Sequence, residues 1–170
     1  MLQKMYNQVI TYAQHPHAVW YLFAISFIES SIFPIPPDVL LIPMILANRQ
    51  KAFYYATVCT VASVLGGIAG YGIGYFLLET VGQPVLSFYG KEQAFGEFQG
   101  VFTEWGWWLV FGAGLTPFPY KVITIASGAA QLDLIVFTIA SFIGRGIRFY
   151  LEAGLLWHFG DPIRNFIEKR

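Results

Sequence analysis

Charge is scarce in this chain. Lys and Arg together number 10 and Asp and Glu 10, so 12% of 170 residues are charged and the formal net charge is zero. A soluble domain of this size carries roughly twice that share, and a protein that grips nucleic acid does so with a positive excess that is absent here. Cysteine occurs once, as Cys59 inside an apolar run, which excludes an intramolecular disulfide and reads as a small buried residue rather than a reactive thiol. The three histidines, His15, His17 and His158, are scattered, so no metal site is expected from them. No nucleophile stands beside an acid–base cluster, and no Gly-Lys-Ser/Thr follows the glycine-rich stretch. Neither an enzyme nor a cofactor is therefore expected, and the glycines do not form a phosphate loop. Residues 1–17 lack the apolar core and small-residue cleavage site of a secretory signal.

What is abundant is apolar surface. Hydrophobic residues make up 56% and aromatics 18% of the chain, and the mean hydropathy is +0.55. These values predict an integral membrane protein with much interfacial area, folded as one membrane domain over 1–170. Leu2, Met5, Tyr6, Val9, Ile10 and Ala13 share one face of an N-terminal amphipathic helix, which ends at His15-Pro16-His17. Ala18–Phe33 and Val39–Ala47 flank Pro34, Pro36 and Pro37 and reach only about 24 Å and 14 Å, short of a ~30 Å hydrocarbon core. The lengths and prolines fit a re-entrant hairpin.

Ala52–Leu78, about 40 Å as a helix, is long enough to span and is expected to end at Gly82-Gln83-Pro84. Phe88–Trp105 reads as a second amphipathic interfacial helix, with Trp105, Trp107 and Trp108 as an aromatic belt. Trp107–Leu115 and Val122–Ala130 flank a second break at Pro117 and Pro119, and Leu134–Trp157 is the second span, closed by Gly160-Asp161-Pro162.

Each half thus runs amphipathic helix, broken hairpin, span, Gly-x-Pro, with repeat one at about 2–84 and repeat two at about 88–170. One span per half sets the copies in opposite orientations. The expected fold is an all-α integral membrane protein: an inverted repeat of two re-entrant hairpins and two full transmembrane helices, with interfacial helices. Lys4, Arg49, Lys51, Arg164, Lys169 and Arg170 fall on one face and most acids on the other, which places both termini in the cytoplasm.

Charges inside the apolar stretches are functional candidates because an unpaired ion at membrane depth is expensive. Glu29 lies in the first hairpin and Asp38 at its tip; Lys121 lies at the second tip, and Arg145, Arg148 and Glu152 share a face of the second span. Meeting tips would set Glu29 and Asp38 against Lys121, Arg145 and Arg148 in one polar cavity. The plain alternative is that these charges are ion pairs holding the hairpins together. Glu152 and Glu79 read as interfacial, snorkelling residues. Gly66, Gly70 and Gly74 form a small-xxx-small face for helix packing, with homodimerisation as its second use.

These motifs together resemble the DedA family (SNARE-associated, or VTT-domain, proteins): Glu29, the run Pro34–Asp38, the glycine-rich span, Pro117–Lys121, and Arg145 with Arg148. Phe118-Pro119-Tyr120-Lys121 is most similar to its short YqaA-like branch. The resemblance implies a bacterial inner-membrane protein linked to translocation of undecaprenyl phosphate or phospholipids and to envelope homeostasis driven by the proton-motive force. It also implies that Glu29 and Asp38 are the membrane-embedded acids. Where typical members carry arginines around the second proline motif, this chain has Leu115 and Lys121, and lysine offers a point charge rather than a bidentate fork. The leading expectation is a proton-coupled flippase for an anionic lipid. Glu29 and Asp38 would exchange protons, while Lys121, Arg145 and Arg148 would hold phosphate. A transporter of a small soluble ion or metabolite, and a non-transporting scaffold, are the alternatives.

Overall fold

The computed structural model describes residues 4, 7, 8, 11, 15–31, 37–116 and 120–168, and every regular element among them is helical. Helix α1 is Ala18–Ser31 and α2 Asp38–Ala47. A 3-10 turn at Arg49–Lys51 leads into α3, Ala52–Leu77. A π-turn at Leu78–Gly82 continues it into α4, Gln83–Tyr89. Then follow α5, Glu92–Leu115, α6, Tyr120–Ala129, and α7, Leu134–Glu168. Most of the N-terminal amphipathic helix, together with Pro34, Pro36, Pro117 and Pro119, lies outside the described residues; Pro37 caps the start of α2.

The ends that exist have local causes. Gly90, at φ 64°, closes α4 with Lys91 N–H on the Leu86 carbonyl and Gly90 N–H on that of Ser87, a Schellman motif. Gln131, at φ 59°, closes α6 in the same way. Asp133 Oδ1 accepts from the backbone N–H groups of Ile135 (2.8 Å) and Val136 (3.2 Å) and so caps α7.

Three expected boundaries are corrected. Gly82-Gln83-Pro84 does not end a helix, because the widened π-turn accommodates the missing N–H of Pro84. Gly160-Asp161-Pro162 is a kink inside α7: the proline ring crowds the preceding turn, and Phe159 leaves helical geometry at φ −106°, ψ 16°. The interfacial helix expected at Phe88–Trp105 and the hairpin arm expected after it are largely one continuous helix, α5. Gly106 does not break it, because its bare Cα receives the Leu132 side chain.

Two helical stretches, Arg49–Tyr89 and Leu134–Ile163, are long and apolar enough to cross a membrane. They run antiparallel: Arg49 reaches the Trp157 carbonyl, Thr57 bonds Tyr150, and Tyr71 bonds the Leu132 carbonyl and packs its ring tilted against Phe137. The ion pair Arg49–Asp161 (2.6 Å) fastens that end. Around them α1 packs on α3 and α5 on α7, while α6 lies closely along α3 and α2 more lightly against α7. Glycines set the approach. A Cβ at Gly66 would strike the Phe27 carbonyl, at Gly70 the Thr124 hydroxyl, at Gly74 the Ile125 carbonyl, at Gly128 the Tyr71 carbonyl and at Gly144 the Phe111 carbonyl. The Gly66/Gly70/Gly74 face is therefore used within the chain.

Two apolar clusters result. One joins α1, α2, the start of α3 and the end of α7 through Leu22, Leu41, Ile45, Ala56 and Phe149. The other joins α5, the turn after α6 and the start of α7 through Phe102, Val110, Leu132 and Phe137. Between them lies a belt of buried polar residues that includes Ser30, Ser63, Thr124 and Arg145. That belt holds the site.

Candidate functional site

Arg145 is fully buried, an expensive placement for a guanidinium unless it is well partnered. Its Nη2 donates to Glu29 Oε2 at 2.6 Å, to Ser63 Oγ at 3.1 Å and to Ser30 Oγ at 3.4 Å. Ser30 Oγ donates in turn to Glu29 Oε2 at 3.3 Å. The guanidinium carbon lies 4.6 Å from the Tyr120 ring centroid and 5.0 Å from that of Phe149, a cation between two π-faces. Nε and Nη1 have no hydrogen-bond partner among the described residues, so the rings cover what the oxygens do not reach. One arginine thus joins α1, α3, α6 and α7, and Thr124 Oγ1, donating to the Ser30 carbonyl at 3.1 Å, ties α6 directly to α1.

One helical turn further on, the environment opens. Arg148 Nη2 donates to Asp38 Oδ2 at 2.9 Å, and the two side chains remain 22% and 26% exposed. The guanidinium carbon of Arg148 is 5.7 Å from the Phe149 ring, so that ring stands beside both arginines. Asp38 is the first residue of α2, directly after Pro37, where a carboxylate also meets the positive end of a helix. Its Oδ1 is buried without a hydrogen-bond partner among the described residues. Glu152, four residues beyond Arg148 on α7, sets its carboxyl against both Asp38 and Arg148. Asp38 alone pairs with Arg148 among the described residues, with Glu152 close by on the same helix face.

The structure brings Glu29, Asp38, Arg145 and Arg148 together, but as two discrete pairs, Glu29–Arg145 and Asp38–Arg148. Lys121 is half-buried at the start of α6 and makes no ion pair among the described residues; its carbonyl accepts from Thr124 Oγ1 at 2.8 Å. The reading of Glu152 as a snorkelling residue is corrected, because α2 folds back onto α7 and carries Asp38 to it. Ser30, Ser63, Tyr120 and Phe149 were not anticipated. A signal for Ser63 was present: Thr60-Val61-Ala62-Ser63-Val64-Leu65-Gly66 matches Thr138-Ile139-Ala140-Ser141-Phe142-Ile143-Gly144 in its Thr, Ala, Ser and Gly. In both copies the Ala, Ser and Gly are buried.

Comparison with known proteins bears on the family. The chain matches the VTT domain over residues 35–158. An uncharacterized protein of Haemophilus influenzae is 39% identical over 165 residues, covering 97% of this chain and 85% of its own. An uncharacterized protein of Histophilus somni is 40% identical over 168 residues, 96% of this chain and 87% of its own. One from Methanocaldococcus jannaschii is 24% identical over 127 residues, 75% of this chain and 76% of its own. No solved structure matches. With a buried arginine pairing across its helices and two long apolar helices of membrane-crossing length, the chain belongs to the VTT-domain (DedA) family of membrane proteins.

Proposed function

We propose that this protein is a proton-coupled translocase for a phosphate-bearing anionic lipid, resident in a bacterial inner membrane with both termini cytoplasmic. The observation that carries the reading is the part-exposed Asp38–Arg148 pair facing Glu152 at the start of α2. While Asp38 is ionised it occupies Arg148. A proton delivered to Asp38, with Glu152 beside it as the relay, neutralises the carboxylate that holds Arg148 and frees the guanidinium, which can then take phosphate with two parallel N–H···O bonds. Loss of that proton restores the carboxylate, which displaces the phosphate. Lipid and proton would therefore travel together. Glu29–Arg145, fully enclosed on the arginine side, serves in this scheme as a fixed strut and not as a second carrier.

The supporting architecture is an inverted repeat. Helices α1 with α2, and the C-terminal half of α5 with α6, would be re-entrant hairpins, for α2 is only about 15 Å long and α6 no longer. The last residues of α2 lie near the start of α3, and the last residues of α6 near its end, as hairpins entering from opposite faces require. The packing of α1 on α3 mirrors that of α5 on α7, down to a glycine against a carbonyl in each, Gly66 on Phe27 and Gly144 on Phe111.

The test is purified protein in liposomes with a labelled anionic lipid, with and without a pH gradient. Asp38→Asn and Glu152→Gln should each abolish gradient-dependent movement of the lipid between leaflets. Wild-type rates in both variants would reject the coupling scheme. Uptake of a soluble anion in place of lipid movement would favour the small-solute transporter.

A further inference from the structure

We infer that a cleft where the start of α1, the end of α2 and the start of α3 meet holds one anionic phospholipid, its phosphate on Lys51 and its upper acyl carbons between α1 and α3. Two cavities share Pro16, Val19 and Lys51 and so form one cleft. The smaller, about 260 Å³, is bordered by polar groups of His15, Asn48, Lys51 and Tyr55. The larger, about 530 Å³, runs between Trp20 and Phe23 on α1 and Tyr54 and Val58 on α3. From Pro16 to Phe23, and from Lys51 to Val58, each helix advances seven residues, so the groove descends about 10 Å from the lysine. A polar mouth above an apolar trough has the shape of a headgroup and the first part of a chain.

Charge fits the same occupant. No carboxylate lines either cavity among the described residues. Nearby Arg49 is engaged by Asp161 and the Trp157 carbonyl, whereas Lys51 makes no ion pair among the described residues. Trp20 and Tyr54, 72% and 54% exposed, stand at the rim where aromatic side chains favour the membrane interface. A soluble anion would leave the apolar trough unused. The cleft is distinct from the Asp38–Glu152 cluster and the inference does not depend on translocation.

Trp20 supplies the readout. Protein in phosphatidylcholine nanodiscs would receive increasing fractions of phosphatidylglycerol brominated on its acyl chains, and the quenching lost in Trp20→Phe isolates the signal at the cleft. Quenching should reach half-maximum at a lower lipid fraction for brominated phosphatidylglycerol than for brominated phosphatidylcholine. Lys51→Gln should raise that fraction about fivefold, the effect of one surface cation near an anionic headgroup. Val19→Phe, which fills the trough and leaves Lys51 in place, should weaken quenching by both lipids. Equal quenching by the two lipids with no effect of Lys51→Gln would overturn the inference. So would displacement of the lipid by millimolar inorganic phosphate, which would mark a soluble-phosphate site. Protection of Cys59 from a thiol-reactive dye verifies that each variant is folded.

Discussion

Neutralising Glu29 and neutralising Asp38 should lower stability by different amounts. Glu29→Gln removes the carboxylate that pairs with Arg145, whose side chain is 0% exposed beside a carboxylate only 15% exposed. Breaking a buried pair costs about 3–5 kcal/mol because the remaining ion keeps its desolvation penalty. The lower end applies here, since the glutamine amide oxygen and the hydroxyls of Ser30 and Ser63 still accept from Nη2. For a chain of this length, about 3 kcal/mol lowers the unfolding midpoint by about 6–12 °C. Asp38→Asn breaks a pair whose members are 22% and 26% exposed, and solvent screening reduces its worth to about 1 kcal/mol, or about 2–4 °C. Cys59 reports both: it is buried and is the sole cysteine, so a thiol-reactive fluorophore lights up only on unfolding. The double variant Glu29→Gln/Arg145→Met, which removes both ions, should recover part of the loss. If Asp38→Asn lowers the midpoint as far as Glu29→Gln, the division into strut and exchanging site is wrong.

Gly74→Ala and Gly128→Ala should each lose about 2–3 kcal/mol through backbone collision, whereas Gly72→Ala, with open space around it, should gain up to about 1 kcal/mol in the same dye assay. Lys121→Gln should leave the unfolding midpoint within about 2 °C, an exposed or unpaired cation being worth under 1 kcal/mol; a fall in lipid movement that Lys121→Arg restores would identify Lys121 as a phosphate contact. In a Cys59→Ser background, Asn48→Cys should be labelled by a membrane-impermeant maleimide from the cytoplasmic face and Asp133→Cys from the opposite face. Labelling of both from one side would exclude the inverted-repeat topology.

How much of this was legible in the sequence follows from which interactions are local. Three short helices and the two long ones were readable, because hydropathy and proline act over a few residues: Asp38–Ala47 and Tyr120–Ala129 fall within two residues of where the breaks predict them, whereas the arm expected before the second break runs on from Glu92. Gly82-Gln83-Pro84 misled, because whether a proline ends a helix or sits in a π-turn depends on packing around Leu78, which is buried. The charges Glu29, Asp38, Arg145 and Arg148 were identifiable from their cost in an apolar stretch alone. Their pairing was not, for Glu29 and Arg145 are separated by 116 positions. Glu152 was misjudged for the same reason. Its place near the end of the apolar run suggests an interface, and only the return of α2 brings Asp38 against it.

The two long helices share a short sequence run, yet the charged site lies against only one of them. In the alignment set by the shared Thr-x-Ala-Ser-x-x-Gly run, Arg145, Arg148 and Glu152 of α7 stand where α3 has Gly67, Gly70 and Gly74. On α3 those glycines admit α6 closely: the Tyr120 ring lies over Gly67, the Thr124 side chain over Gly70 and the Ile125 backbone carbonyl against Gly74. On α7 the same three positions project side chains at the first hairpin, and α2 rests more lightly there. Helices in backbone contact have no low-energy way to part, since opening them exchanges many close contacts for none. The start of α2 is held by one part-exposed ion pair that a single proton weakens, while Leu41, Met44, Ile45 and Leu46 keep the rest of it in the apolar cluster. In the proposed cycle the start of α2 is accordingly the part that moves, and α6 stays. Three charges on α7 at the positions of three glycines on α3 are thus what set the contact of α2 with α7 apart from that of α6 with α3.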